Sequence, residues 1–274
     1  MIEPATWGVK RRALDLLHGL HVARPAVRGY EFVLAARSAA TMRRTRKGDL
    51  PLPPARLRVQ AGPRHADAEF FLRSGLGHAD LLRSLLDEAG RPIEELDAIL
   101  DWGCGCGRVL RQWSGLTRTR VHGCDINAKM VDWCDTNLPF ASAELTGIAP
   151  PLPYDDAKFD FVYAFSVMTH LPAELQGAWV RECRRVLRPN GYLLFSTLGE
   201  HYLSLDRLSD VERASFGRGD LVVLYADAPG TSLCSAYHPE AYVRQELADG
   251  YDVKAFLPAA DDGRHDLYLL QKVT

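Results

Sequence analysis

No apolar run in this 274-residue chain approaches the ~20 residues that a membrane-spanning helix requires, so no such helix is expected. The opening stretch, "MIEPATWGVKRR", lacks the apolar core of a secretory signal, which makes a cytoplasmic protein the expectation. Internal repeats and low-complexity tracts are missing as well. Cysteine is present but never paired in the sequence. Cys104, Cys106, Cys124, Cys134, Cys183 and Cys234 show neither Cys-x-x-Cys spacing nor a nearby pair of histidines. That argues against the usual tetrahedral zinc pattern, and a cytosolic chain of this size has little use for disulfides. All six read as small buried side chains.

Net charge is also scarce, at −2, but its distribution is uneven. Residues 1–64 hold 13 Lys and Arg against 4 Asp and Glu, a net of +9, and the remainder carries −11. Such asymmetry marks either a phosphate-bearing partner or a basic segment docked on an acidic body. The arginines interleave with apolar residues as on an amphipathic helix, which favours docking.

With 47% hydrophobic and 25% charged residues the chain can fill a core, as one large domain or one domain with an appendage. Residues 8–47 show apolar spacing near 3.6 and read as helical, followed by the Pro-rich linker "GDLPLPPARL". Two further helices are expected in "ADAEFFLRSG" and "HADLLRSLLDEAG", each closing near a glycine. From about residue 97, short apolar runs alternate with amphipathic helices. The strands are "AILDW", "RVHGCD", "SAELTG", "FDFVYAFS", "GYLLFST", "YDVKAFLP" and "DLYLLQKV"; the helices between the first five include "GRVLRQWS", "NAKMVDWCDTN" and "PAELQGAWVRECRRVL". This alternation predicts an α/β fold with a parallel sheet covered on both faces. More than fifty residues separate the fifth and sixth strands, including strand-like runs on either side of "APG", and such an insertion suits a cover over a ligand cleft.

The stretch "DWGCGCGRVL" turns from the first strand into the next element. Gly103, Gly105 and Gly107 allow a sharp turn and close approach to a ligand, and a helix opening near Cys106 would offer free N–H groups. A dinucleotide pyrophosphate is one candidate ligand. Its fingerprint, however, is G-x-G-x-x-G, whereas these glycines run G-x-G-x-G. Asp101, two residues before the first glycine, would repel a pyrophosphate and suits an ammonium group. S-adenosylmethionine carries an ammonium and a sulfonium and no phosphate. Asp125, ending the second strand 24 positions later, can accept hydrogen bonds from two ribose hydroxyls, with Ile126 free to pack on the adenine face.

On these motifs, residues 97 to about 197 resemble a class I S-adenosylmethionine-dependent methyltransferase. Asp101-x-Gly103-x-Gly105-x-Gly107 matches the family's first motif and Asp125 its second-strand acid. "FDFVYAFSVMTHL" matches its fourth strand and turn, and "VLRPNGYLLFST" resembles its reversal into the fifth. The resemblance implies a Rossmann-like seven-stranded sheet of order 3-2-1-4-5-7-6, the seventh strand antiparallel. It divides the chain into an N-terminal helical extension and linker (1–64) and a methyltransferase domain (65–274) with a lid insertion at about 199–237. It implies cofactor contacts from Asp101, Gly103, Cys104, Gly105, Gly107, Asp125, Ile126, Phe165 and Ser166. Many members carry an acid after the third strand for the adenine amino group. Thr146, Gly147 and Ile148 stand there instead, so backbone around Gly147 and Ile148, or Asp155 or Asp156 folding back, would have to serve.

Methyl transfer needs an aligned nucleophile and sometimes a base. His170, after the fourth strand, is the first candidate for that role, against a purely structural one beside Pro172. Glu200, His201 and Tyr202 form a second polar cluster, and His238 is placed to reach from the lid. The carboxylates of a magnesium site are missing after the fourth strand, so no metal is expected, and no Asn/Asp-Pro-Pro-Tyr run marks an amino-group methyltransferase. The expected function is therefore methylation of a hydroxyl on a small-molecule acceptor, a sugar or secondary metabolite, by a monomer or homodimer. The alternatives are an RNA methyltransferase that uses the basic segment and a silent cofactor-binding subunit.

Overall fold

The structure, a computed structural model, describes residues 5–20, 22–39, 50–205, 208–261 and 263–273. The expected helical stretch 8–47 forms two helices, α1 (Ala5–Gly19) and α2 (Ala23–Ala39), and its last residues, 40–47, lie outside the described ones. After the prolines comes one short turn of helix, α3 (Ala55–Arg58), and then a long helix, α4 (Ala68–Glu88). Asp67 caps α4 by accepting the N–H of Phe70 at 2.7 Å.

Here the sequence reading needs correction, because α4 is one helix and not two. Gly75 does not end it. A Cβ at Gly75 would collide with the carbonyl oxygen of Arg108, so the glycine serves close packing inside a continuous helix.

The sheet contains β1 (Ala98–Trp102), β2 (Arg120–Asp125), β3 (Ala141–Leu145), β4 (Phe159–Ala164) and β5 (Leu187–Thr197). After β6 (Val222–Leu224) and β7 (Ser235–Tyr237), which pair with each other while Tyr237 also bridges to Leu198, β8 (Tyr251–Asp261) and β9 (His265–Lys272) complete it. The order is β3-β2-β1-β4-β5-β9-β8, with β9 antiparallel to both neighbours. With β8 and β9 counted as sixth and seventh, this is the expected topology. Every residue of β1 and β4 is buried, as central parallel strands covered on both faces require.

One face of the sheet (Leu100, Trp102, Val162, Leu193, Phe195, Tyr268) packs on Trp179, Val180, Cys183 and Val186 of α6 (Ala173–Val186). The other (Ile99, Phe161, Tyr163, Leu194, Leu269) packs on Leu82, Leu85 and Leu86 of α4 and on Val131 and Cys134 of α5 (Ala128–Asn137). Between β1 and β2 the expected helix is absent. Residues 103–109 run through turns into a single 3-10 turn, Leu110–Trp113. The segment from Gly107 to Ser114 is too short to nucleate an α-helix by itself, and Gly107 is held at φ 78°, outside helical space.

The insertion between β5 and β8 holds α7 (Asp210–Gly217), the β6–β7 ribbon and α8 (Glu240–Tyr242). The N-terminal helices attach to it. Arg11 donates to both carboxylate oxygens of Glu212 (3.2 and 3.0 Å), the Tyr225 hydroxyl donates to Asp15 (2.6 Å), and His18 lies 3.1 Å from Asp227. Leu14, Leu17, Ala23 and Val27 surround Ala228 and Leu233. At its far end α2 sets Leu34 and Ala35 on Ala55, Val59 and Ala66. At ~1.5 Å per residue α2 spans ~25 Å, bridging the insertion and the 55–66 segment.

Candidate functional site

The carboxyl ends of β1, β2 and β4 meet at the glycine loop. Gly103, Gly105 and Gly107 all have positive φ (78°, 53° and 78°), which explains the glycine at alternate positions. The loop is tied to β2, where the Cys124 carbonyl accepts the N–H groups of Gly103 (2.8 Å) and Cys104 (3.0 Å). Asp125 braces it further, one carboxylate oxygen accepting the Gly105 N–H (2.9 Å) and the other that of Asn127 (2.8 Å). Each oxygen keeps another lone pair for a ligand. The thiols of Cys104 and Cys134 both donate to the Gly105 carbonyl, at 3.6 and 3.4 Å. All six cysteines are buried and free, and burial raises the pKa of Cys106 to about 12; such thiols pack and do not react.

Beneath the loop, Asp101 is only 4% exposed. Burial pushes its carboxyl up to about 7, against a hydrogen bond from Tyr163 and the nearby charge of Arg108. The Tyr163 hydroxyl itself accepts the indole N–H of Trp113 at 2.7 Å, so Trp113, Tyr163 and Asp101 form a buried chain. The guanidinium of Arg108 lies 5.9 Å from the centre of the Phe165 ring, and His78 of α4 stacks on that ring at 3.9 Å and 11°. Sequence reasoning missed Arg108, Tyr163 and His78. His78 sits in the apolar stripe of α4 and its partner lies far along the chain, so nothing local marks it.

At the other end of the loop Ile126 is 44% exposed. Ile126 and Ile148 flank Gly230, at the tip of the insertion, where a Cβ would come within 2.6 and 2.7 Å of their terminal methyls. Gly147 sits beside them in the turn after β3. Its neighbour Thr146 buries a hydroxyl oxygen with no partner among the described residues, although its N–H bonds the Asp125 carbonyl at 3.0 Å. The Ile148 carbonyl is taken by the Trp179 indole at 2.9 Å.

After β4 the backbone is strained. Ser166 adopts φ 59°, held by its N–H to Ser196 Oγ (2.7 Å) and by the Thr169 hydroxyl on its carbonyl (3.0 Å). His170 follows, half-buried. Its Nδ1 lies 2.7 Å from the Cys234 carbonyl, and its own carbonyl accepts the Gly230 N–H at 2.9 Å, so it is fastened to the insertion twice. Because a carbonyl can only accept, Nδ1 carries the proton and Nε2 keeps a lone pair. Burial lowers the His170 pKa, partly offset by that bond. Tyr202 is buried with His201 and His265 against its ring, while Glu200 and His201 are exposed. His238 is fully buried, Nε2 3.1 Å from Gln176 Oε1 of α6, and burial pushes its pKa down to about 3. The expectation that it reaches from the lid to the acceptor meets this packing, which commits the ring to α6.

The profile of the methyltransferase domain family matches residues 100–195. A malonyl-[acyl-carrier protein] O-methyltransferase of Erwinia pyrifoliae is 37% identical over 134 residues, 47% of this chain and 48% of its own length. A 27-O-demethylrifamycin SV methyltransferase of Amycolatopsis mediterranei is 31% identical over 151 residues, 50% of this chain and 52% of its own. Among solved structures, an S-adenosylmethionine dependent methyltransferase from Mesorhizobium loti shares the fold with TM-score 0.54 and 16% identity, over 70% of this chain and 96% of that one. Residues 100–195 match the methyltransferase domain family, on a fold shared with S-adenosylmethionine-dependent methyltransferases. The chain spans about half the length of these two relatives.

The residues of this methyltransferase domain fit its cofactor, S-adenosylmethionine. Asp125 retains lone pairs suited to ribose hydroxyls, and the nearest atom to a Cβ on Gly105 is Met130 Sδ at 3.7 Å, so the loop has room at its centre. Asp101 offers a carboxylate to an ammonium, and the orphaned Thr146 hydroxyl offers a hydrogen bond after the third strand.

Proposed function

We propose that the chain transfers a methyl group from S-adenosylmethionine to a hydroxyl oxygen of a small-molecule acceptor, a sugar or secondary metabolite, with His170 as the base or orienting group. The cofactor, when bound, supplies a methyl carbon activated by its sulfonium leaving group. The chain's own residues do the rest: Asp101 and Asp125 hold the two ends, and the strained turn at Ser166 presents His170. The observation that carries the reading is the His170 tautomer. With Nδ1–H on the Cys234 carbonyl, Nε2 is the proton-accepting nitrogen, and a lowered pKa keeps it unprotonated at neutral pH. The names of the two relatives, one an O-methyltransferase and one acting on 27-O-demethylrifamycin SV, agree with an oxygen acceptor.

In this reading residues 1–64 and the insertion at 199–237 close the cleft together. The basic residues of the first segment serve that packing more than any nucleic acid. Arg11 pairs with Glu212, Arg24 donates to the Asp227 carbonyl (3.0 Å), and Arg58, 0% exposed, donates to the carbonyls of Pro53 and Ala66.

The test is transfer of labelled methyl to a panel of hydroxyl-bearing acceptors. With an acceptor in hand, His170→Ala should lower turnover by ~100-fold or more and leave cofactor affinity nearly unchanged. His170→Asn retaining most activity assigns orientation, and equal failure of both variants assigns proton removal. Full activity in His170→Ala would move the chemistry to Glu200 or His201.

A further inference from the structure

The residue whose carbonyl holds His170 and the residue gripped by the N-terminal helices are neighbours in the chain. Resting on the role given to His170 above, we propose that α1 and α2 act as a positioning element for it. By clamping the tip of the insertion, residues 227–234, they keep the Cys234 carbonyl on His170 Nδ1 and so decide which ring nitrogen is left for the acceptor.

Every link is a short contact. Among the described residues, the apolar cluster around Ala228 and Leu233, 1% and 5% exposed, is completed entirely by Leu14 and Leu17 of α1 and Ala23 and Val27 of α2. Beside it, His18 lies 3.1 Å from the Asp227 carboxylate and Arg24 donates to the Asp227 carbonyl. Between Ala228 and Leu233 the tip braces itself. The Thr231 hydroxyl donates to the Ala228 carbonyl at 2.7 Å and accepts the Leu233 N–H at 3.3 Å. A grip on Leu233 is therefore passed to Cys234, whose carbonyl lies 2.7 Å from His170 Nδ1. The underside of the tip is pinned as well, with the Gly230 N–H on the His170 carbonyl (2.9 Å) and the Gly230 backbone against Ile126 and Ile148.

The grip matters because the bond it protects is weak. A single hydrogen bond to a carbonyl contributes little net free energy where water can replace it. A neutral imidazole has two tautomers, and a carbonyl fixed at Nδ1 selects the one that leaves the Nε2 lone pair open. The cover of α1 and α2 over Ala228 and Leu233 supplies the missing hold, since lifting the tip away would return that apolar surface to water. Coupling of this kind is reciprocal, so whatever lifts the tip must also loosen the helices.

The test follows the His170 ring by nitrogen NMR and the amides by hydrogen exchange, both on the full chain, with the ring signal assigned from its loss in His170→Ala. In the wild type Nδ1 should carry the proton. Leu14→Ser/Leu17→Ser and Ala23→Asp, which disrupt the apolar cluster, should speed exchange of the Gly230 amide by about tenfold or more and let both tautomers populate. The ring pKa should then rise toward the ordinary ~6.5, because burial is the larger cause of its depression. Leu16→Ser, on the outward face of α1 and 65% exposed, should change neither. Gly230→Ala lifts the tip from below, by collision with Ile126 and Ile148, and should speed exchange in α1 as well. An unchanged tautomer and Gly230 amide in both cluster variants, or α1 amides indifferent to Gly230→Ala, overturns the proposal. Two wild-type results overturn it without any variant having to fold: a ring already in both tautomers, or a Gly230 amide that stays protected while α1 and α2 exchange freely. Full turnover in His170→Ala would instead refute the role of His170 and leave the coupling of helices to tip standing.

Discussion

Gly107→Ala separates two reasons for glycine in the loop. At Gly107 the backbone has φ 78°, and a Cβ would come within 2.7 Å of Leu138 Cδ1 and 3.2 Å of Cys134 Sγ. Carbon atoms in ordinary contact sit ~3.5–4.0 Å apart, so Leu138 would have to retreat by about 1 Å in a packed interior. Leu138 is fully buried, and forcing it aside costs ~1–3 kcal/mol, to which the left-handed backbone adds ~1–2 kcal/mol for alanine over glycine. Gly105 is the internal control. It shares the positive φ, at 53°, but its nearest neighbour would be Met130 Sδ at 3.7 Å, which is comfortable contact. Gly105→Ala should therefore cost only the conformational part, ~1–2 kcal/mol, and Gly107→Ala ~2–5 kcal/mol. Urea unfolding of the two variants, read at the midpoint with unchanged slope, measures both. In a double-mutant cycle, Leu138→Ala should be less harmful in the Gly107→Ala background than in the wild type. Equal destabilisation by the two glycine substitutions, or an additive cycle, would refute the steric half of this reasoning.

Asp125→Ala should weaken S-adenosylhomocysteine by ~1–3 kcal/mol through two lost hydrogen bonds, measured by calorimetry, and unchanged affinity would remove Asp125 from the ribose site. Cofactor affinity should depend on pH through Asp101. Its carboxyl is protonated below about 7 in the ligand-free protein, whereas the ammonium selects the ionised form, so affinity falls ~tenfold per unit below that value and levels off above it. The same raised pKa makes the ligand-free fold bind a proton that the unfolded chain has already released. Asp101 therefore contributes less stability as pH rises from 3.8 to about 7, and ligand-free unfolding curves across that window check the sign. Removing residues 1–49 should abolish turnover or solubility, because the apolar faces on Ala228, Leu233, Ala55 and Val59 would be uncovered; a soluble, fully active protein starting near residue 50 would give the segment another purpose.

The sheet was legible because its central strands, β1 and β4, bury both faces and each run is bounded by turn residues. The positive-φ glycines were legible for the same local reason. What remained hidden depends on long-range contact. Gly75 reads as a helix end until Arg108 is seen against it, and "GRVLRQWS" has helical spacing but too few residues to nucleate beside a left-handed glycine. His238 looks like a lid residue from its place in the chain, yet Gln176, 62 positions earlier, claims its ring. Arg108 and His78 acquire meaning only through Phe165, which the β4 turn brings between them.

The most direct test of the central claim is a crystal structure with S-adenosylhomocysteine and a hydroxyl-bearing acceptor analogue bound. Both ribose hydroxyls should lie within ~2.6–3.2 Å of the Asp125 carboxylate, the homocysteine part should rest on residues 103–107, and His170 Nε2 should reach the acceptor oxygen directly or through one water. A ribose placed away from Asp125, or His170 Nε2 turned from the acceptor, would contradict it.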